Sequence, residues 1–250
     1  MSILSQLFLQ SAQFYTLVLI IVIGLVFIDR RIFLRALSIM LFSMVFNTFL
    51  KSLFKIPLKA HFKRNWYAFP SGHANTSATF YGYLIHRFKT PLLTLIGGIL
   101  IIGICWALVH NHYHDWVDVI AAVGFSILLI FIFHWLETTK LFKDNFMLLI
   151  LIMTVAAYGL VKISPTITSH TAIPLGALMG VTVTAILEKM FGYQSIHPVI
   201  DFLIIIVGIL GLQALFAKLG LNSYTYTVLE YGLISWWGTY SPHIFAKLKR

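Results

Sequence analysis

The sequence predicts an all-α, polytopic transmembrane helix bundle of roughly nine spans. Three observations carry this. Of the 250 residues, 59% are hydrophobic and only 10% are charged, against about 25% charged in an ordinary soluble domain. Mean hydropathy is +0.89. The apolar residues also fall in long runs between short polar segments, and a helix needs about 20 such residues to cross a bilayer.

Taken in order, Met1 to Gln13 has neither a basic n-region nor a small-residue cleavage site. The run from Phe14 to Ile28 is therefore expected to be a retained first span and not a removed signal peptide. Asp29-Arg30-Arg31 ends it. A second span follows from Phe33 to Phe54, then a polar segment from Lys55 to Phe69. The third starts at His73 and ends near Ile85, before His86-Arg87-Phe88-Lys89. The fourth covers Leu92 to Val109, the fifth Val117 to Trp135. Four more are expected at Met147–Val161, Ile173–Leu187, Val199–Phe216 and Val228–Phe245. Within them Gly176 and Gly180 have the small-xxx-small spacing that lets membrane helices pack closely; two unrelated glycines is the bland reading. No internal repeat or low-complexity linker divides the chain, so one membrane domain is expected.

The net charge is +10, from 18 Lys and Arg against 8 Asp and Glu. In a span-rich chain such charge belongs to loops and lipid headgroups. No basic stripe interleaved with exposed aromatics is present, so no nucleic-acid partner is expected. With the N-terminus outside, the inner loops and tail hold Arg30, Arg31, Arg35, Arg87, Lys89, Lys140, Lys143, Lys189, Lys247, Lys249 and Arg250. The outer side holds Lys51, Lys55, Lys59, Lys63, Arg64, Lys162 and Lys218, five of them between residues 51 and 64. The bias elsewhere favours this orientation, and the concentrated cations mark an anion site or, more blandly, headgroup attraction. Cys105 is the single cysteine; it excludes an internal disulfide and thiolate zinc sites.

The chemistry centres on Tyr67-Ala68-Phe69-Pro70-Ser71-Gly72-His73-Ala74-Asn75. Pro70 stops what precedes it, Ser71 can cap the following helix, and Gly72 permits close backbone approach. A helix start of this kind suits a phosphate, and His73 adds a titratable imidazole. Alone, this is also an ordinary helix start. Span parity, however, puts the cation loop, Ser71-Gly72-His73 and the pair His114 and Asp118 on one membrane face. Four residues apart, His114 and Asp118 share a helix face. A carboxylate so placed fixes the tautomer of the imidazole and leaves its other nitrogen free as a nucleophile. His73 is then the acid for a leaving alkoxide, with cations and helix-start amides stabilising the transferring phosphoryl group.

The arrangement Lys51…Pro70-Ser71-Gly72-His73…His114-xxx-Asp118 resembles the type 2 phosphatidic acid phosphatase superfamily and its acid-phosphatase-like relatives, over about Asn47 to Ala122. The resemblance implies a six-helix phosphatase-like core in the N-terminal part, residues 1–145, with additional helices over 146–250. It implies phosphate binding by Lys51, Ser71 and Gly72, His73 as general acid, His114 as the residue that becomes a phosphohistidine, and Asp118 as its assistant. It implies no metal and no cofactor. Two arginines of the family pattern are replaced: the stretch after the motif lysine reads Lys55-Ile56-Pro57-Leu58-Lys59, and the place six residues before His114 is Leu108. Lys55, Lys59, Lys63, Arg64, His110 and His112 are the candidates to supply that charge.

Several other readings stand beside this one. His110, His112 and His114 with Asp115 and Asp118 have spacing compatible with zinc, but zinc leaves the lysine loop and His73 unexplained; His110 and His112 are expected to line the site. His61 is expected as a solvated loop residue, and His134, His170, His197 and His243 as interface residues near span ends. Asp201 and Glu230 sit at helix starts, where the dipole accounts for them. Trp66, Trp236 and Trp237 fit an interfacial belt. The expected activity is hydrolysis of a membrane lipid phosphate or pyrophosphate at the outer face of a bacterial cytoplasmic (inner) membrane, facing the periplasm, with the hydrocarbon chain among the spans. The alternatives are a lipid phosphotransferase like the sphingomyelin synthases and a non-enzymatic transporter or scaffold. Oligomeric state is left open.

Overall fold

The computed structural model describes residues 2–58, 66–164 and 169–248. Among them are ten α-helices. The first, α1 (Ile3–Ser11), was not expected: it is short, and it meets the next helix at a 55° bend. Its Phe8 ring packs on Gly103 and edge-on to Trp106. The first expected span is α2 (Phe14–Ile23), continued by a π-helical turn, Gly24–Ile28. At its start Gly24 lies directly under the Phe33 ring, where any Cβ would collide.

The remaining helices are α3 (Arg30–Phe54), α4 (Gly72–Phe88), α5 (Pro91–His110), α6 (Trp116–Thr138), α7 (Phe146–Ile163), α8 (Ser169–Phe191), α9 (Pro198–Leu219) and α10 (Tyr224–Leu248). Their starts carry the expected chemistry. Asp29 accepts the Ile32 N–H at 2.9 Å. Asp115 and Asp118 form a reciprocal capping box on α6. Prolines stand at the first positions of α5 and α9. Asp201 accepts the Ile196 N–H at 3.2 Å and the Ser195 hydroxyl, so it serves its own helix start.

Six helices (α3, α5, α6, α7, α8 and α9) are long and apolar enough to cross a membrane, or seven with the bent α1–α2 pair. The expectation of nine is therefore met only in part. The two that fall short are α4, with 17 residues, and α10. Both are more polar because both face protein: α4 buries Asn75, Ser77 and Thr79, and α10 buries Thr239, Ser241 and His243. The lipid-facing surfaces of α5, α6 and α9 instead expose rows of Leu, Ile and Val.

Polar contacts fix how these helices stand. Asn75 on α4 donates to the Ser126 hydroxyl of α6 at 3.1 Å, and Ser126 returns a bond to the Asn75 carbonyl at 3.0 Å. Ser52 and Ser164 join the ends of α3 and α7 at 2.9 Å. At the opposite end of α3, Arg35 pairs with Glu137 of α6 at 2.8 Å. Arg30 bonds Glu188 of α8 and the Thr239 carbonyl of α10. Its guanidinium also lies 3.5 Å over the Tyr193 ring, whose hydroxyl burial pushes up to about 12, keeping the ring neutral.

The Gly176 and Gly180 spacing is used. A Cβ at Gly176 would overlap the Val228 carbonyl, and one at Gly180 the Gly232 carbonyl. Backbones of α8 and α10 are thus in direct contact, and Thr184 and Thr239 share a hydroxyl bond of 2.6 Å across the seam. One hydrophobic cluster runs from Ala12 to Ala185, through both the N-terminal helices and α7–α8. Trp237 serves the α9–α10 contact: its indole covers Gly208 and donates to the Ile204 carbonyl at 3.1 Å.

Candidate active site

At one end of the bundle the C-terminal end of α3 meets the N-terminal ends of α4, α6 and α8. Lys51 sits in the last turn of α3, 7% exposed. Its ammonium donates to the carbonyls of Tyr67 and Ala68, each at 2.8 Å, which leaves one of its three protons for another acceptor. Those carbonyls are held in place: the Leu58 N–H bonds the Trp66 carbonyl at 2.9 Å and the Ala68 N–H bonds the Ile56 carbonyl at 2.8 Å. The two limbs of the loop therefore run as a short antiparallel pair. Between them, residues 59–65 lie outside the described residues, and with them the expectations for Lys59, His61, Lys63 and Arg64.

Ser71 is fully buried. Its hydroxyl accepts the Ala74 N–H at 3.5 Å, and its own N–H donates to the Asp118 carbonyl at 3.1 Å. The start of α4 is thereby tied to the first turn of α6. Asn47, one turn before Lys51, donates to the Pro70 carbonyl at 3.4 Å. Three segments far apart in sequence are thus tied together at the main-chain atoms of Pro70, Ser71 and Asp118.

Asp118 is 7% exposed, and its Oδ2 lies 3.0 Å from His114 Nδ1. The same oxygen accepts the Asp115 N–H at 3.2 Å. With Nδ1 engaged by a carboxylate, Nε2 is the nitrogen left to react. His73 lies within electrostatic reach of His114, Lys51 and His170. It is exposed, and its exposed surface faces an internal cavity.

That cavity, about 490 Å³, takes in Lys51, Gly72, His73, Thr76 and His114 at its mouth. Asn47, Trp66, Tyr67 and His170 line it as well. His170, at the start of α8, packs its ring 5.2 Å from Trp66, so both residues also belong to the cavity wall. The sequence carried a signal for Asn47, which lies four residues before Lys51 and so on the same helix face; none identified His170. Further in, the walls are mostly aliphatic, with Phe14, Tyr231, Ser235 and Thr239 among them. A shallower groove of about 180 Å³ between α2 and α9 shares Phe14, Val18, Ile209 and Ile234 with the cavity wall.

The candidates to replace the missing arginines are placed differently. Lys55 is the left-handed C-cap of α3 (φ 54°), exposed and outside the lining. Leu108 is core, 2% exposed; its carbonyl takes the N–H groups of Tyr113 and His114 at 2.9 and 3.3 Å, shaping the turn that presents His114. His110 and His112 do not line the site as expected. His110 stacks on Trp106 at 4.7 Å, and His112 is exposed with φ 58°. The turn splays the three histidines, and among the described residues no group of three His, Cys, Asp or Glu side chains converges on a metal position.

A membrane-embedded helical protein with a carboxylate-fixed imidazole, a second imidazole and a buried ammonium at one cavity mouth has the parts for phosphoryl transfer by histidine. The family model described as the PAP2 superfamily matches residues 32–142, a segment holding Lys51, Ser71, Gly72, His73, His114 and Asp118. The match is consistent with a member of the type 2 phosphatidic acid phosphatase superfamily and suggests phosphatase-type activity on phosphate esters. No curated protein and no solved structure matches the chain.

Proposed function

We propose that this protein is a membrane phosphatase that hydrolyses a lipid phosphate or pyrophosphate through a phosphohistidine on His114. The observation that carries the reading is the 3.0 Å contact between His114 Nδ1 and Asp118 Oδ2 at the cavity that His73 and Lys51 also line. In the first step Nε2 of His114 attacks phosphorus and the bond to the leaving oxygen breaks. His73 gives that oxygen a proton. Lys51 and the free N–H groups at the start of α4 stabilise charge on the phosphoryl oxygens. In the second step His73 takes a proton from water, which attacks phosphorus and releases inorganic phosphate. Ser71 and Gly72 shape the helix start, and Lys55, Lys59 and Arg64 are the loop cations that draw the headgroup in. No metal or cofactor takes part.

We place the site at the outer, periplasmic face of a bacterial inner membrane, following the Lys and Arg distribution. We count α4 and α10 as crossings, giving nine passes with α2 as the first. Their polar content serves the interior of the bundle. Residues 1–145 form the catalytic core, and 146–250 extend the same membrane domain.

The test is a panel of lipid phosphates and pyrophosphates presented to the purified protein in detergent, with and without a chelator. Free phosphate, unaffected by chelation, is expected. A new phospholipid in its place identifies a phosphotransferase, and chelator-sensitive release sinks the metal-free mechanism. Lys51→Met is expected to lower kcat/KM by about 10²–10³-fold, the scale of losing one preorganised charge donor. Lys51→Arg should recover little of this, because a planar guanidinium does not reproduce the bonds to both Tyr67 and Ala68 carbonyls. Steady-state phosphate release checks both variants.

A further inference from the structure

Beyond its polar mouth the cavity becomes a deep apolar chamber. Its walls are α2, α3, α8, α9 and α10, and all but α3 lie outside residues 32–142. The chamber is therefore an addition of this chain's own helices to the matched segment.

On α3 the facing residues are Leu37, Met40, Leu41, Met44, Asn47, Thr48 and Lys51. They recur at three and four, so they form one stripe. The stripe changes along its length, aliphatic from Leu37 to Met44 and polar from Asn47 to Lys51. Opposite it, α2 and its π-helical continuation contribute Leu17, Ile21 and Leu25, and α10 contributes Ile234 and Gly238. From Asn47 to Leu37 the helix rises about 15 Å, at about 1.5 Å per residue. This equals the depth of one leaflet of a bilayer whose hydrocarbon core is about 30 Å thick.

The far end is stopped. Thr239, which lines the chamber beside Gly238, is held by Arg30 through its carbonyl and by Thr184 through its hydroxyl. An apolar cavity of this size excludes water and weakens a bundle unless apolar atoms fill it. About 490 Å³ falls in the ~300–1,000 Å³ range of small-molecule sites, and a one-leaflet depth fits a hydrocarbon chain running away from the phosphate.

We propose that this chamber holds one hydrocarbon chain of a phosphorylated amphiphile, with its head at His73 and His114 and its terminal methyl against Gly238 and Leu37. The stopped end sets the longest chain that fits. The identity of the head rests on the phosphatase reading; occupancy by a chain does not.

Two measurements on the full-length protein in detergent test this. The first uses an alkyl phosphate carrying a photoreactive group near its chain terminus, with crosslinks mapped by mass spectrometry. Crosslinks on the chamber faces of α3 and α10 are expected; crosslinks confined to the lipid-facing rows of α5, α6 and α9 overturn the proposal. Chamber crosslinks without phosphate release would leave it standing and defeat the phosphatase reading. The second measures phosphate release from monoalkyl phosphates of increasing chain length. Gly238→Leu fills the stopped end; its Cβ would sit 3.4 Å from Ile209 Cδ1, an ordinary contact. It is expected to cut kcat/KM for the longest chains by at least about tenfold, the scale of overpacking a tight cavity, and to leave the shortest within about twofold. Leu37→Phe is expected to shift the profile the same way. An equal loss at every length in both variants, or no shift in either, overturns the proposal.

Discussion

Replacing His114 with Ala is expected to abolish phosphate release while the protein still inserts and elutes as the wild type does. The loss should be at least about 10³-fold, as for removal of a covalent nucleophile whose partners act with it as a unit. The reason is local. The His114 side chain is 11% exposed at the end of a turn closed by the Leu108 carbonyl, and its ring's defined bond is to Asp118. Truncation removes the reactive nitrogen, while the main-chain bonds to the Leu108 carbonyl that shape the turn stay in place. With a radiolabelled lipid phosphate, the wild type should also trap an acid-labile phosphoprotein in a rapid quench, and the variant should trap none. Turnover close to wild type in the variant would remove the phosphohistidine from the mechanism.

The largest expected effect on the fold is at the seam between α8 and α10. Gly180→Leu is expected to cost about 3 kcal/mol or more, because the added atoms meet the Gly232 carbonyl and the Trp236 backbone, which cannot rotate away. For a chain of this size that corresponds to a fall in Tm of about 6–12 °C. Gly124→Ala is the matched control: nothing lies within 4 Å of a Cβ there, and a helical Gly-to-Ala change without a clash is neutral or slightly stabilising. Thermal unfolding in detergent distinguishes the two. Equal Tm values would mean that the α8–α10 contact contributes little to the bundle.

Much of the helix layout was legible because bilayer crossing imposes a length and a composition. Phe146–Ile163 and Pro198–Leu219, for example, are each within a few residues of the run expected from hydropathy. What hydropathy did not show was α1, an apolar stretch too short to cross, or the polar lining of α4 and α10, whose neighbours are protein and not lipid. In the site, the placing of Lys51, His73 and His114 around one cavity could be anticipated from span parity, since parity alone decides which loops share a face. The fate of His110 and His112 could not. Their orientation depends on a turn made by main-chain bonds to Leu108, and side-chain spacing carries no trace of that. His170 was equally hidden, because its approach to Trp66 depends on how α8 packs, which is set by glycines six and ten residues further along.

The groove between α2 and α9 bears on how a substrate would be counted. It shares four residues with the wall of the cavity that holds Lys51, His73 and His114, and in the proposed reaction phosphate would leave through the polar mouth. A molecule that comes through that groove is drawn from a two-dimensional reservoir. The quantity governing saturation is then its mole fraction in the surface, so adding inert detergent or lipid slows the reaction at constant total substrate, just as lowering a solute concentration slows a soluble enzyme.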